Sequence, residues 1–121
     1  MLNRIAVLML VCFAPALAFA GFGQKDKVEA FVVNVSDDCQ LIVSIDHQAE
    51  IVRLAGIDFS KEDARERLDA RDFVYSRVMN KTVRIELEGK DVRGNLLGRI
   101  YIKEFCLNKA LVQAGLAASS P

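Results

Sequence analysis

Tryptophan is absent from the 121 residues, and the chain has only one histidine, two prolines and three cysteines. Because His47 stands alone and no Cys-x-x-Cys pair occurs, the sequence lacks the ligand clusters of a structural zinc site. Net charge is also absent, since sixteen basic residues balance sixteen acidic ones. A chain without net charge has no global positive field to attract nucleic acid, so any anion-binding site must be local.

The longest apolar run lies at the N-terminus. Arg4 precedes an apolar stretch over 5–13, and residues 18–20 (Ala-Phe-Ala) have the small-x-small pattern of a cleavage site. The stretch is short for a bilayer span, and the residue before Cys12 is not the small one that a lipid-attachment signal requires. The sequence therefore predicts a signal peptide over 1–20, cleaved after Ala20. We expect a periplasmic or secreted bacterial protein with no transmembrane segment after cleavage.

Cleavage would leave a chain long enough for one small domain but not two. Residues 21–27 are polar and contain glycine, which predicts a flexible lead-in; 28–117 would form the domain and 118–121 a disordered tail. Cys39 and Cys106 remain after cleavage, and an oxidising compartment would permit a disulfide between them. Two buried free thiols are the second interpretation and a metal or catalytic role is the third, and spacing alone does not decide among them.

Alternating apolar residues predict the first three strands. They cover 28–35, 40–45 and 50–57, with His47 at the tip of the hairpin between the second and the third. A helix is expected next, capped by Ser60 and running over 61–79. Its inward stripe would be Ala64, Leu68, either Ala70 or Arg71, either Phe73 or Val74, and Val78, and the alternating charges between them indicate a solvated outer face.

The second half of the domain is also predicted to contain both strands and a helix. Strands are predicted over 82–87 and 97–103, separated by a polar loop over 88–95 that contains two glycines. A short helix over 106–114 follows, with Gly115 as its terminator. Three strands, a helix, two strands and a helix is an order compatible with a five-stranded barrel of the oligonucleotide/oligosaccharide-binding type, the OB-fold.

The third strand carries one arginine, Arg53, among apolar residues and ends on Asp58. Alternation places Arg53 on the same face as Ala55 and Ile57. A guanidinium in apolar surroundings needs an anion or a carboxylate partner. One interpretation is an internal Arg53–Asp58 pair that holds the barrel together. The other is a ligand site at the strand end, where loops often carry function.

Four segments, in this order, resemble the staphylococcal nuclease (thermonuclease) family. They are 52–58 (VRLAGID), 82–85 (TVRI), 97–102 (LGRIYI) and 107–117 (LNKALVQAGLA). The likeness extends over about 28–117. The resemblance implies a five-stranded OB-fold barrel and a calcium-dependent phosphodiesterase that cleaves DNA and RNA beside the third strand. Such chemistry uses carboxylates for the cation, a glutamate for the attacking water and arginines for the phosphate.

Carried over residue by residue, the resemblance makes Arg53 a catalytic and phosphate-binding arginine, and Asp58 a calcium ligand. The family's other calcium aspartate falls on Cys39, a soft thiol that calcium would not choose, with Asp38 as its neighbour. The water-activating glutamate is replaced by Lys61. Its stand-in would be the adjacent carboxylate of Glu62.

The second phosphate arginine of the family falls on Asn95, which cannot supply its charge, and Arg93 and Arg99 flank that position. Three displaced groups would each have to reach productive geometry within about half an ångström. We therefore expect an exported, catalytically impaired barrel that binds an anionic ligand, nucleic acid or an envelope protein partner, with phosphate held by Arg53, Lys61 and Arg99. The alternative is a calcium-dependent nuclease. Its catalytic residues would be Arg53, Glu62 and Arg93, and its metal ligands Asp58 and Asp38.

Overall fold

The computed structural model describes residues 26–60 and 62–120. The predicted signal peptide, residues 21–25, Lys61 and Pro121 lie outside this range. The strands, in chain order, are β1 (Asp26–Val35), β2 (Leu41–Ile45), β3 (Gln48–Leu54), β4 (Ile57–Asp58), β5 (Thr82–Lys90), β6 (Leu96–Ile102), β7 (Phe105–Cys106) and β8 (Ala118–Ser119). The helices are α1 (Ala64–Val78), between β4 and β5, and α2 (Leu107–Gln113), between β7 and β8.

Five strands close into a barrel, which confirms the predicted fold class. The order is β3-β2-β1-β5-β6, and β3 pairs in parallel with β6 to complete the closure. The long strand β1 pairs with β5 over 26–31 and with β2 over 31–35, so it serves both halves of the barrel. The two helices complete an OB-fold of the staphylococcal-nuclease type.

The barrel interior follows the alternation of the strands. Val52 is fully buried and Leu54 nearly so, whereas Ile51 and Arg53 between them point outward. The side chains below 2% exposure include Val32, Leu41, Val43, Ile85 and Ile100. Burial of such apolar side chains stabilises the fold by about 1.5–3 kcal/mol each.

The hairpin between β2 and β3 turns at Asp46 and His47. Both residues have positive φ angles, 51° and 67°. Two successive left-handed residues are the signature of a two-residue turn that matches the twist of the flanking strands. The predicted position of His47 at the hairpin tip is confirmed, and β3 begins directly after it at Gln48.

Helix α1 begins later than the sequence predicted. Its N-cap is Asp63, not Ser60: Asp63 Oδ1 accepts from the Glu66 N–H at 2.8 Å, and Glu66 Oε1 accepts from the Asp63 N–H at 3.0 Å. This reciprocal capping box gives two backbone N–H groups an acceptor at once, whereas a single serine side chain at Ser60 would give an acceptor to only one.

The inward stripe of α1 was predicted only in part. Ala70, Val74 and Val78 are buried, as their spacing of four requires, but Ala64 is exposed and Leu68 is 54% exposed. Arg67, expected on the solvated face, is half-buried, and so is Arg71, the alternative to Ala70 in the predicted stripe. The Arg71 guanidinium donates to the Val35 carbonyl at 3.1 Å and lies 3.6 Å from Asp37.

Asn108, on α2, links the helix to the barrel closure. This buried side chain donates to the carbonyls of Ala55 and Gly98 at 2.8 and 3.2 Å and accepts from the Ile100 N–H at 3.0 Å. Each hydrogen bond contributes about 1 kcal/mol, and the Gly98 carbonyl also accepts from the Ala55 N–H at 2.8 Å. Asn108 therefore fixes the end of β3 against β6.

Two predicted boundaries differ from the structure. The third strand ends at Leu54 rather than 57, because Gly56 takes a positive φ of 74° and redirects the chain. The redirected segment forms β4, whose Ile57 pairs with Ser119 in β8. Residues 118–121 were expected to form a disordered tail, but Ala118 and Ser119 form a strand that pairs with β4. Likewise β5 extends to Lys90, into the predicted loop, with a register shift near Gly89.

Candidate functional site: an arginine-lined cleft

A cleft of about 430 Å³ lies where β3 ends. The β1–β2 turn, the segment around β4, the first part of α1 and the β5–β6 loop form its walls. Its polar lining is made of arginines and aspartates, with one cysteine, one glutamine and one serine; these residues are Arg53, Arg67, Arg93, Asp38, Asp58, Asp91, Cys39, Gln40 and Ser60. Loops at one end of a rigid barrel thus converge on a single concave surface.

Arg53 points out of the barrel into this cleft. Its side chain is 45% exposed, and its Nη1 lies 3.5 Å from Oδ2 of Asp91, whose side chain is only 7% exposed. The expected internal pairing of Arg53 with Asp58 is therefore corrected: the carboxylate paired with Arg53 belongs to the β5–β6 loop. Strand alternation placed Ala55 and Ile57 on the same face as Arg53, with Asp58 next to them. In the structure Ala55 and Ile57 lie beyond the end of β3 and are buried, so alternation did not predict the partner of Arg53.

Asp91 organises the loop that carries Arg93. Its Oδ1 accepts from the N–H groups of Arg93 and Asn95, both at 2.9 Å, and its Oδ2 accepts from the Asn95 amide at 3.3 Å. Desolvation by burial is the largest influence on the Asp91 pKa and raises it. The hydrogen bonds from Asn95, Arg93 and Arg53 outweigh that effect together, so the pKa lies below its ordinary value.

Arg67 and Arg93 complete the positive lining. Arg67 is half-buried on α1, and its Nη1 donates to the Glu62 carbonyl at 3.2 Å. Arg93 is exposed at the tip of the β5–β6 loop. Sequence reasoning named Arg93 but missed Arg67 and Asp91. The signal for Asp91 was its Asp-x-Arg-Gly-Asn context, typical of a side chain that closes a turn onto backbone N–H groups.

Asp38 and Asp58, the predicted metal ligands, both line the cleft. Asp38 is exposed in the β1–β2 turn, where its N–H donates to Ser36 Oγ at 3.3 Å. Asp58 is half-buried, and its Oδ1 accepts from the Ser60 N–H at 2.8 Å. The structure therefore brings the two predicted carboxylates to one surface.

Cys39 forms part of the floor of the cleft and is 2% exposed. Burial raises the pKa of its thiol to about 11, with smaller opposing effects of Arg71, which lowers it, and Asp38, which raises it. Cys39 and Cys106 are both free thiols, so the disulfide alternative is not realised. Cys106 lines a separate depression beside α2.

Other predicted site residues lie elsewhere. Arg99 faces the depression beside α2, and its Nε donates to Glu88 Oε2 at 2.6 Å. The side chain of Glu62 is not among the residues that line the cleft within 26–60 and 62–120. Lys61 lies outside the described residues.

The donors in the cleft do not fit the calcium site that the sequence resemblance implies. Calcium takes six to eight oxygen ligands. In the described part of the chain, no group of three or more His, Cys, Asp or Glu side chains is placed to share a metal ion. Cys39 offers a protonated sulfur, and both oxygens of Asp91 are already engaged.

A closed five-stranded barrel with two helices and a charged cleft at the end of its third strand is an OB-fold of the staphylococcal-nuclease type. The family model described as "Staphylococcal nuclease homologue" matches residues 51–120, more than half of the chain. The chain belongs to this family, which comprises nucleases and nucleic-acid-binding proteins that are typically calcium-dependent. The suspected resemblance is confirmed.

The search of curated proteins returned no match to this chain. Neither of the helices in the described part of the chain is long and apolar enough to cross a membrane.

Proposed function

We propose that this protein binds a phosphate-bearing polyanion, in particular single-stranded nucleic acid, in the cleft at the end of β3, and that hydrolysis by the family's calcium mechanism is impaired. One observation carries the proposal: arginines from β3, α1 and the β5–β6 loop line the same cleft. Three separate elements therefore present guanidinium groups to one ligand.

Arginine suits this role because its planar fork donates two parallel hydrogen bonds to a phosphate. Hydrogen bonds to charged groups contribute about 1.5–3 kcal/mol each. Asp91 offsets part of the charge of Arg53, and it also holds the turn that presents Arg93. The lining carries three arginines and three aspartates, so attraction of a phosphate depends on how the guanidinium donors are directed and not on a net positive charge of the cleft.

Impaired hydrolysis is supported by the groups around the cleft. Cys39 occupies the floor where the family's pattern has a calcium carboxylate, and the Glu62 side chain is not part of the lining in the described residues. A water-activating base needs to lie within hydrogen-bond reach of the attacking water. We therefore expect binding without efficient cleavage.

Export is part of the proposal and is supported by the sequence of residues 1–20 alone. The test is expression of the full chain in a bacterial host, followed by fractionation and mass spectrometry of the N-terminus. We expect a periplasmic or secreted protein that begins at Gly21. An unprocessed chain in the cytoplasm would contradict export and leave the cleft proposal untouched.

Binding is tested on the protein as the host processes it, with fluorescence anisotropy of a labelled single-stranded DNA octamer in chelator and in calcium. We expect binding in both conditions, a dissociation constant raised about tenfold or more by Arg53→Ala, and little change in Arg84→Ala, an exposed arginine on β5. Equal affinity of Arg53→Ala and wild type would reject the site. Chelator-sensitive cleavage that disappears in Asp58→Asn would instead establish the calcium-dependent nuclease.

A further inference from the structure

We propose that Arg67 of helix α1 is the second phosphate-binding arginine of the cleft, acting together with Arg53. This inference rests on the proposed function, because it names a further residue of the same binding site. The family's pattern puts the second arginine in the β5–β6 loop, at the position of Asn95, and neither that pattern nor the alternation of charges along α1 points to Arg67.

Asn95 is committed to its own loop. Its side-chain amide donates to Asp91 Oδ2, and its N–H donates to Asp91 Oδ1. Asn95 is not among the cleft-lining residues within the described ranges, whereas Arg67 is. Position 95 lacks the positive charge of the family's second arginine, and Arg67 on α1 brings such a charge to the cleft instead.

Two contacts hold Arg67 at the cleft wall. Its Nη1 donates to the Glu62 carbonyl at 3.2 Å, and its main-chain carbonyl lies 4.0 Å from Cys39 Sγ on the floor. The capping box of Asp63 and Glu66 fixes the start of the helix just before it. A guanidinium restrained in this way loses little further rotamer entropy when it binds a ligand.

The guanidinium of Arg67 retains free binding capacity. Arginine has five N–H donors, and the carbonyl of Glu62 engages one nitrogen. Arg53 pairs with Asp91 and Arg71 with Asp37, but Arg67 has no carboxylate within ion-pair distance in the part of the chain that the structure describes. A half-buried arginine without a counter-charge, facing a cleft, is best satisfied by an anionic ligand.

The ligand chemistry follows from this arrangement. Arg53 projects from the end of β3, and Arg67 projects from the first turns of α1. Two guanidinium groups therefore reach the same cleft from different walls. A phosphodiester has two non-bridging oxygens that such forks can share. The site therefore takes a backbone phosphate of a single strand, and base identity contributes little to recognition.

The experiment compares Arg67→Ala with Arg65→Ala, a matched change at an exposed arginine of the same helix. The probe is the labelled single-stranded DNA octamer, measured across salt concentrations. We expect Arg67→Ala to raise the dissociation constant about tenfold and to reduce the slope of log K against log salt by about 0.7, the value for one lost phosphate contact on a single strand. Arg65→Ala should change the dissociation constant less than twofold.

Two further variants separate binding from folding. Arg67→Lys retains the charge, so we expect the wild-type salt slope with a weaker affinity, since an ammonium cannot form the two-pronged contact. Arg67→Gln retains a donor for the Glu62 carbonyl, and it should show the reduced slope even if Arg67→Ala folds poorly. A wild-type slope in Arg67→Gln would overturn the inference.

The outcomes also separate this inference from the proposed function. Weak binding in Arg53→Ala together with unchanged binding in the Arg67 variants would leave the cleft as a phosphate site and remove Arg67 from it. Unchanged binding in both sets would reject the site as a whole.

Discussion

At the scale of single residues, Asp91 shows how a carboxylate can support a site for anions. It lies beside Arg53, which reduces the net charge of the cleft, yet its other hydrogen bonds fix the turn on which Arg93 stands. Its depressed pKa means that it stays ionised well below neutral pH, so this arrangement persists under mildly acidic conditions.

Cys39 gives a prediction about pH. Burial raises the pKa of its thiol to about 11, whereas an unfolded cysteine ionises near pH 8.5–9. A raised folded pKa contributes stability that is complete below the unfolded pKa and is lost as the pH rises through the folded value. We expect the free energy of unfolding to fall by about 1 kcal/mol between pH 8 and pH 10 through this group.

The measurement is urea unfolding under reducing conditions at both pH values. Cys39→Ala should lack this part of the decrease, whereas Cys106→Ala, which leaves the buried thiol in place, should retain it. Identical pH dependence in Cys39→Ala and wild type would show that the buried thiol ionises as freely as an unfolded one.

At the scale of elements, the packing of α1 against the barrel determines which side chains reach the cleft. The helix begins at Ala64, with Asp63 as its N-cap; Ala70, Val74 and Val78 face the core, and Arg67 lies at the cleft edge. Residues four positions apart share a face of a helix wherever the helix begins, so packing against the barrel, and not the boundary, selects the buried face.

Asp63→Ala tests this boundary. Loss of an N-cap side chain costs about 1 kcal/mol, because the Glu66 N–H loses its acceptor. Urea denaturation should show that loss for Asp63→Ala, while Ser60→Ala should change the free energy of unfolding by less than about 0.5 kcal/mol. A larger effect at Ser60 than at Asp63 would contradict the observed cap.

At the scale of the whole molecule, closure of the barrel brings the cleft together. The parallel pairing of β3 with β6 places Arg53 opposite Leu97 and Leu54 opposite Gly98, and Asn108 donates to the Gly98 carbonyl from α2. The β5–β6 loop is thereby held beside the end of β3, and Asp91 comes within reach of Arg53 although the two residues are far apart in sequence.

Gly98→Ala tests this closure. A Cβ at position 98 would lie 2.7 Å from Ile85 Cγ2 and 2.9 Å from the Glu86 carbonyl oxygen, so the strands would have to shift. Overpacking of this kind costs about 1–3 kcal/mol, and each kcal/mol lowers the melting temperature of a domain this size by about 4–8 °C.

The control is Gly89→Ala, where an added Cβ meets no atom within 4 Å and only the positive φ of 131° carries a cost. Thermal unfolding should show a larger loss for Gly98→Ala than for Gly89→Ala. A loss below about 0.5 kcal/mol in Gly98→Ala would mean that the contact between β5 and β6 is looser than the structure indicates.

The sequence by itself determined the order of strands and helices along the chain, the hairpin tip at His47, and the family to which the chain belongs. It also placed Arg53 near the end of the third strand, whereas Asp58, expected at the end of the same strand, lies in β4. These features depend on local patterns, because alternation has a period of two and turn residues act within a few positions.

Only the tertiary structure decided which charges share the cleft. The sequence could not show which of Arg99 and Arg67 lines the cleft. In the structure Arg99 faces the depression beside α2 and pairs with Glu88, while Arg67 lines the cleft from α1. The partnership of Arg53 with Asp91 likewise depends on barrel closure. The physical reason is that a one-residue shift moves a strand side chain to the opposite face, and contacts between distant segments fix that shift only in the folded chain.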